Sequence, residues 1–168
     1  YHVYDNGSEL SSNKVHCFNP ENGTWEEDKQ NIPIAIDDHI QAVWQDSLIY
    51  LVTGWSDNTN VSNVQIYDPA SDSWQVGTST PENHNFKSFG ASGTIIGNAI
   101  YYFGGAEYTR GYPIQNKLRK GTIDPKNPTE ITWHISIPDQ DIVGYRMAAT
   151  RIGNQAHWIG GSGITYNY

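Results

Sequence analysis

Short apolar stretches recur along the chain, separated by polar turns that come too often for helices. Residues 48–54 read Leu-Ile-Tyr-Leu-Val-Thr-Gly, residues 99–105 Ala-Ile-Tyr-Tyr-Phe-Gly-Gly, and residues 156–161 Ala-His-Trp-Ile-Gly-Gly. A second phrase alternates with the first. It is Val64-Gln65-Ile66-Tyr67-Asp68-Pro69 followed by Trp74, and earlier Val15-His16-Cys17-Phe18-Asn19-Pro20 followed by Trp25. A looser copy runs over residues 118–123, then Asp124-Pro125 and Trp133. Each stretch is rich in β-branched and aromatic residues and is bounded by Gly, Pro, Asn or Asp, which predicts strands and turns. No helical period appears.

The phrases keep a nearly fixed spacing. Trp25 and Trp74 are 49 residues apart, Gly54 and Gly105 are 51, and Gly105 and Gly161 are 56. A period of roughly 50 residues with four short strands per unit is a propeller-blade signature. The units resemble the kelch family in four features: a hydrophobic strand ending in Gly-Gly, a Tyr-Asp-Pro strand end, a Trp after the turn, and a polar lead-in to the next strand. Two copies depart from the pattern, with Thr53 in place of the first glycine and Phe18-Asn19 in place of Tyr-Asp. The resemblance implies an all-β chain, a kelch-type β-propeller in one domain. The repeats fall at about 1–37, 38–87, 88–144 and 145–168, with both ends inside blades. That is about three blades, whereas such rings close with about four to eight. The expectation is a part of a ring of roughly six or seven blades. The remaining blades come from the same chain or from a second one.

Within the units, residues 14–19 are expected as a third strand, 20–23 as a hairpin turn and 24–29 as an outer strand. Residues 31–38 form a crossover, 40–45 an innermost strand, 48–53 a second strand and 55–61 a loop. The next unit repeats this with 89–96 and 99–103, and the last begins with an innermost strand over 145–152. The third unit is longer: Gly54 to Trp74 spans 20 residues, Gly105 to Trp133 spans 28. Much of the surplus falls in an elongated loop over 106–116, and insertions of this kind gather on one face, often the binding face.

Charge removes some partners. Ten Lys and Arg against 18 Asp and Glu give a formal net charge of −8, which disfavours nucleic acid and anionic membrane surfaces. No apolar run approaches the roughly 18 residues of a membrane-spanning helix. Cys17 is the single cysteine, so no internal disulfide is possible. Sequons occur at Asn6, Asn22 and Asn60, although Asn, Gly and Ser are also ordinary turn residues. The composition leans towards a secreted, periplasmic or cell-surface protein and leaves a cytoplasmic location open.

The glycine doublets read as tight backbone approaches, since no helix follows them to hold a phosphate. Trp25, Trp74 and Trp133 recur at one repeat position and read as blade-to-blade packing. Cys17 aligns with Ile66 and reads as a small core residue. The kelch family includes copper radical oxidases of the galactose oxidase type, but nothing here matches their ligand set. The six histidines are not spaced as metal ligands, and neither a metal nor another cofactor is expected.

Functional candidates lie where the chain enters the innermost strands, because such lead-ins gather at one mouth of a propeller channel. They are Asp38 and His39, Lys87, and Tyr145 and Arg146. His39, Lys87 and Arg146 read as approximate equivalents in successive units, and Arg146 falls where kelch repeats often carry an Arg. Neighbouring loops add Trp55, Asp57, Glu107, Tyr108, Arg110 and Tyr112, and aromatics with arginine are the usual makeup of a protein or sugar contact. The resemblance therefore implies a binding module for a protein or glycan. One alternative is a sugar-active enzyme of the sialic-acid mutarotase type, with Asp38, His39 and Arg146 as acid, base and carboxylate clamp. Another is a structural piece of a secreted or surface assembly.

Overall fold

A computed structural model describes residues 10–137 and 141–165. Among these residues there are twelve β-strands and no helix. Two four-stranded antiparallel sheets stand at the centre. One runs β3 (Ile40–Trp44), β4 (Leu48–Ser56), β5 (Thr59–Asp68), β6 (Ser73–Gly77), in that spatial order. The other runs β7 (Phe89–Ile96), β8 (Ala99–Ala106), β9 (Leu118–Asp124), β10 (Asn127–Ile137). They are flanked by a pair β1 (Phe18–Asn19) and β2 (Thr24–Trp25), and by a pair β11 (Ala148–Ile152) and β12 (Gln155–Ile159). The chain thus holds two whole blades between two half-blades. The innermost strands β3, β7 and β11 stand side by side.

The sheets are held face to face by their alternating side chains. Ile40, Ala42, Trp44, Tyr50, Val52, Val64 and Ile66 of the second sheet meet Ala91, Ile95, Ile100, Tyr102 and Ile123 of the third in one buried cluster. Leu51, on the opposite face of the second sheet, packs with Ile32, Ile36 and Val15 beside the first pair. Burying each large side chain in such a layer stabilises by about 1.5–3 kcal/mol.

The recurring tryptophans tie neighbouring sheets together. Trp74 Nε1–H donates to Gln30 O at 3.0 Å and Trp133 Nε1–H to Thr78 O at 2.9 Å, in each case a carbonyl just ahead of the sheet or at its neighbour's outer edge. Each indole also meets a tyrosine, Trp74 with Tyr67 and Trp133 with Tyr102. Trp25 stands at the same position of its pair, but it is 69% exposed and touches Phe18.

Several sequence boundaries shift. Residues 55–61 are not a loop: β4 and β5 continue past the glycine as a hairpin, with Trp55 opposite Asn60 and Ser56 opposite Thr59. The tight turn is Asp57-Asn58, with Asp57 at φ +50°, which Asp tolerates better than most residues. Only Phe18–Asn19 of residues 14–19 pairs as a strand, although Glu26 N–H still donates to Cys17 O and Lys29 N–H to Val15 O. The last innermost strand starts at Ala148, not at Tyr145. Part of the third unit's surplus is a register shift of β10 against β9 between Asn127 and Ile131.

Candidate recognition face at the channel mouth

The three chain entries to the innermost strands form the inner rim of one mouth. Asp38, Gly90 and Arg146 occupy equivalent positions, each one residue after a bridge: Asp37 with Trp55, Phe89 with Ala106, Tyr145 with Ser162. All three have left-handed backbones, at φ +47°, +65° and +55°. Gly90 N–H donates to Asp38 O at 2.8 Å, and Arg146 N–H donates to Gly90 O at 2.7 Å. The rim is a chain of backbone hydrogen bonds passing from sheet to sheet. The register equivalents are therefore Asp38, Gly90 and Arg146, not His39, Lys87 and Arg146 as the sequence suggested. The extra residue in the Gln45-Asp46-Ser47 turn, against the two-residue Gly97-Asn98 turn, accounts for His39 taking the place of Asp38, whereas Lys87 lies three residues ahead of Gly90 in the crossover.

Gly90 is forced by its neighbours. A Cβ there would lie 2.2 Å from Tyr145 Cε2, inside the tyrosine ring. With no side chain in the way, the Arg146 guanidinium spans the gap to the second sheet. Its Nε donates to Asp38 Oδ1 at 2.9 Å and its Nη2 to Asp38 Oδ2 at 2.7 Å. Tyr145 Oη–H donates to the same carboxylate at 3.1 Å, and the guanidinium lies 4.9 Å over the Tyr145 ring. The Asp38 hydrogen bonds raise the Arg146 pKa, and burial raises that of Tyr145.

The glycine doublet closes the same rim from below. Gly104 and Gly105 have φ +72° and +77°, and Gly105 N–H donates to Gly144 O of the next entry at 2.9 Å. A Cβ at Gly104 would lie 2.1 Å from that carbonyl. Thr53 holds the first doublet position at φ +45°. A β-branched residue pays strain there, and its hydroxyl is fully used, donating to Val61 O at 2.6 Å and accepting from Ser88 N–H at 3.0 Å.

Outside the rim, aromatic rings from three sheets join. Trp55, from the β4–β5 hairpin, contacts Phe89 and Tyr108 edge-on, each at 5.1 Å between ring centres. Phe89 also contacts Tyr112 at 6.0 Å and Tyr145 at 5.9 Å. Tyr108 stacks with Tyr112 at 6.2 Å. Edge-to-face pairs of this spacing add about 0.5–1.5 kcal/mol each beyond burial. Four of the sequence candidates, Trp55, Tyr108, Tyr112 and Tyr145, thus form one cluster. Sequence reasoning missed its hub, Phe89, whose signal was its place directly before the entry glycine.

The loop after β8 is shaped by its own backbone. Glu107 N–H donates to Pro113 O at 3.1 Å and Tyr112 N–H to Thr109 O at 3.0 Å. Its tip leaves Tyr108 half-exposed, at 49%, and Arg110 exposed. Val143 of the entry to β11 lines a groove with Gly111, Tyr112 and Pro113 of this loop, and it and the preceding Ile142 are exposed.

The other candidates have structural duties. Asp57 N–H donates to Ser11 Oγ at 2.9 Å, and Asp57 Oδ1 accepts from Ser11 N–H at 3.0 Å. Ser11 Oγ–H in turn donates to Asp37 at 2.8 Å. Lys87 Nζ is paired with Glu82 at 2.9 Å, and Glu82 also accepts from the Ser62 hydroxyl. These hydrogen bonds, Ser62's first, hold the Glu82 carboxyl below its ordinary pKa.

The His39 side chain, though next to Asp38 in the chain, is directed into a different cavity from the Asp38–Arg146 pair. It lines a 280 Å³ cavity between the β1–β2 pair and the second sheet, with Val15, Ile32, Ile49, Leu51 and Trp74. Its Nδ1 is buried without a partner among the described residues, and burial holds its pKa below 6.5. Asp38, His39 and Arg146 therefore do not converge on one open pocket. Among the described residues no group of three His, Cys, Asp or Glu gathers around a common point. Of the sequons, Asn22 is exposed on its hairpin turn, Asn60 is buried at 5% exposure, and Asn6 lies outside the described residues.

Comparison with known proteins agrees with this architecture. A model of the kelch motif matches residues 42–81. Kelch-like protein 36 of Bos taurus is 25% identical over 158 residues, and those of Rattus norvegicus and Mus musculus are 24% identical. The alignments cover 94% of this chain and 24% of those proteins, so the chain spans about a quarter of their length. The solved structure of YjhT superposes with a TM-score of 0.75 at 14% identity, over 94% of this chain and 53% of that one. The chain thus carries a kelch motif over residues 42–81 and has the kelch-type β-propeller fold.

Proposed function

We propose that the chain is a recognition module that holds a protein partner against the mouth face, with Tyr108 and Arg110 as principal contacts and Arg146, Ile142 and Val143 around them. One observation carries this reading. The Trp55–Phe89–Tyr108–Tyr112 cluster braces loops from separate sheets, yet leaves outside one tyrosine edge and one arginine that has no partner among the described residues. Preorganised aromatic and arginine side chains are the residues that dominate protein interfaces, because little entropy is lost when they bind. The fold points the same way, since a repeated scaffold with varied loops suits binding more than a fixed chemistry.

The rim itself is not an open cation site. Arg146 is engaged by Asp38 and Lys87 by Glu82, so Arg110 is the rim's uncommitted cation among the described residues. A partner would meet mainly aromatic and apolar surface with one positive point. Affinity capture with the Tyr108→Ala/Arg110→Ala chain tests the reading against Asn98→Ala/Asn154→Ala, which changes turns at the opposite end. Loss of the same protein partner from the first variant alone supports it. Equal retention by both rejects it, and capture that a free glycan competes away assigns the face to a sugar instead.

A further inference from the structure

The third strand of each complete sheet carries one buried polar side chain at the same register position. Gln65 faces Leu51 across the ladder and Arg119 faces Tyr102, two residues before the equivalent partners of Trp74 and Trp133, Tyr67 and Gly121. Gln65 is 2% exposed and Arg119 is 0% exposed. A strand centre of this kind is ordinarily filled by an apolar residue, and a buried cation without a carboxylate is costly. Both side chains instead turn to the crossover that enters their own sheet. Gln65 Oε1 accepts from Ile34 N–H at 2.8 Å, and its Nε2 donates to Ile34 O at 3.0 Å. Arg119 Nε donates to Asn85 O at 2.8 Å.

Around Arg119 the grip widens. Its Nη1 donates to Gly104 O at 2.9 Å and to Lys117 O at 3.1 Å, with the guanidinium 5.1 Å over the Tyr102 ring. Gln115, at the base of the 107–117 loop, donates from Nε2 to His84 O and, at 3.5 Å, to Lys87 O. Tyr102 Oη–H donates to Phe86 O at 3.0 Å. Four consecutive carbonyls, from His84 to Lys87, therefore accept from side chains of the third sheet and its loop. Burial lowers the Arg119 pKa to about 10, which leaves it protonated at neutral pH. Arg119 Nη2 and Gln115 Oε1 remain buried without a partner among the described residues. A core selected for stability alone avoids such leftovers.

We infer that Arg119 and Gln115 are positioning residues of the mouth face, locking the 83–88 crossover to the 107–117 loop so that both move as one unit. Gln65 has the corresponding role for the crossover before β3. Arg119 suits the wider task because its planar fork supplies several donors in a fixed geometry, which a lysine does not. The consequence for binding rests on the reading of the mouth as a recognition face, whereas the lock itself is tested without a partner.

The test is backbone amide exchange on the full 168-residue chain, comparing wild type with Arg119→Met, Arg119→Lys, Gln115→Leu and Gln65→Leu. The Phe86 and Lys87 amides, which donate to Asn83 O, report on the crossover. Arg119→Met accelerates their exchange by about tenfold or more relative to the β4–β5 ladder, as loss of charge-assisted hydrogen bonds implies. Arg119→Lys recovers part of the protection, and Gln65→Leu acts at Ile34 while leaving Phe86 and Lys87 unchanged. Acceleration spread evenly over all sheets, or no change at Phe86 and Lys87, overturns the lock. If Arg119→Met does not fold, Gln115→Leu decides on the same criterion. A mouth face that binds nothing leaves these rates as they are, so the two claims fail separately.

Discussion

Arg146 reaches over Gly90 to grasp Asp38, with Nη2 at 2.7 Å from Oδ2, although the two residues are 108 positions apart and belong to sheets that flank a third. Such a pair can form only near a shared axis, so it fixes the arrangement of three innermost strands at once. The Arg146 side chain is 47% exposed and that of Asp38 17%, so solvent screens part of the attraction. A double-mutant cycle with Arg146→Ala and Asp38→Ala should give a coupling energy of about 1 kcal/mol. That coupling should shrink in high salt. Additive single mutants would show that the pair is incidental.

Gly90→Ala tests the rim's geometry. The new methyl would enter the Tyr145 ring, and φ +65° is strained for alanine. We expect a loss of about 2–4 kcal/mol, combining overpacking with backbone strain. Gly97→Ala is the control: its φ is +58°, but nothing stands within 4 Å of the added Cβ, so its cost should be about 1 kcal/mol. Equal costs in denaturant unfolding would place the burden on backbone strain alone.

The tryptophans should divide by environment, not by repeat position. Trp74→Ala and Trp133→Ala each remove a packed indole and its hydrogen bond to a neighbouring carbonyl, and should cost about 3–5 kcal/mol. Trp25→Ala should cost less than about 1 kcal/mol in the same chain, because its ring is mostly in solvent. Unfolding midpoints would reveal the contrast, and a Trp25→Ala loss as large as the others would contradict it.

His39 supplies a pH dependence. Burial holds its imidazole below the ordinary value of 6.5, with Asp38 pulling weakly the other way. The unfolded chain then binds the proton first, so stability is full above about pH 6.5 and falls as pH drops towards the folded pKa. Asp72 and Glu82, held low by hydrogen bonds, stay ionised through this window. His39→Gln should lose stability less than wild type between about pH 7.5 and 5.5. Identical losses in urea melts would remove His39 as the source.

The repeat made the fold legible before any coordinates, because apolar phrases bounded by turn residues at a near-fixed spacing can only be strands of like units, although β4 and β8 run on past their glycines and Trp25 stays in solvent. The sites were harder to read. Trp55, Tyr108, Tyr112 and Tyr145 stood out as aromatics in loops and do meet. Counted back from the glycines, the extra turn residue of the second unit makes His39 take the place of Asp38, whereas Lys87 stands three residues before the true equivalent Gly90, in the crossover whose length no repeat fixes. Lys87, Asp57 and Ser11 are absorbed by partners 5 to 46 positions away, and side-chain pairing at that range leaves no periodic trace. Arg119 carried a faint signal, a charge in the middle of a strand phrase, that gains meaning only beside the buried Gln65.

The most direct measurement is the exchange footprint that a captured protein partner leaves on this chain. Protection should concentrate on residues 83–87, 107–114 and 141–146. Protection at the opposite turns, 45–47, 97–98 and 153–154, or along the outer strands β6 and β10, would contradict recognition at the mouth.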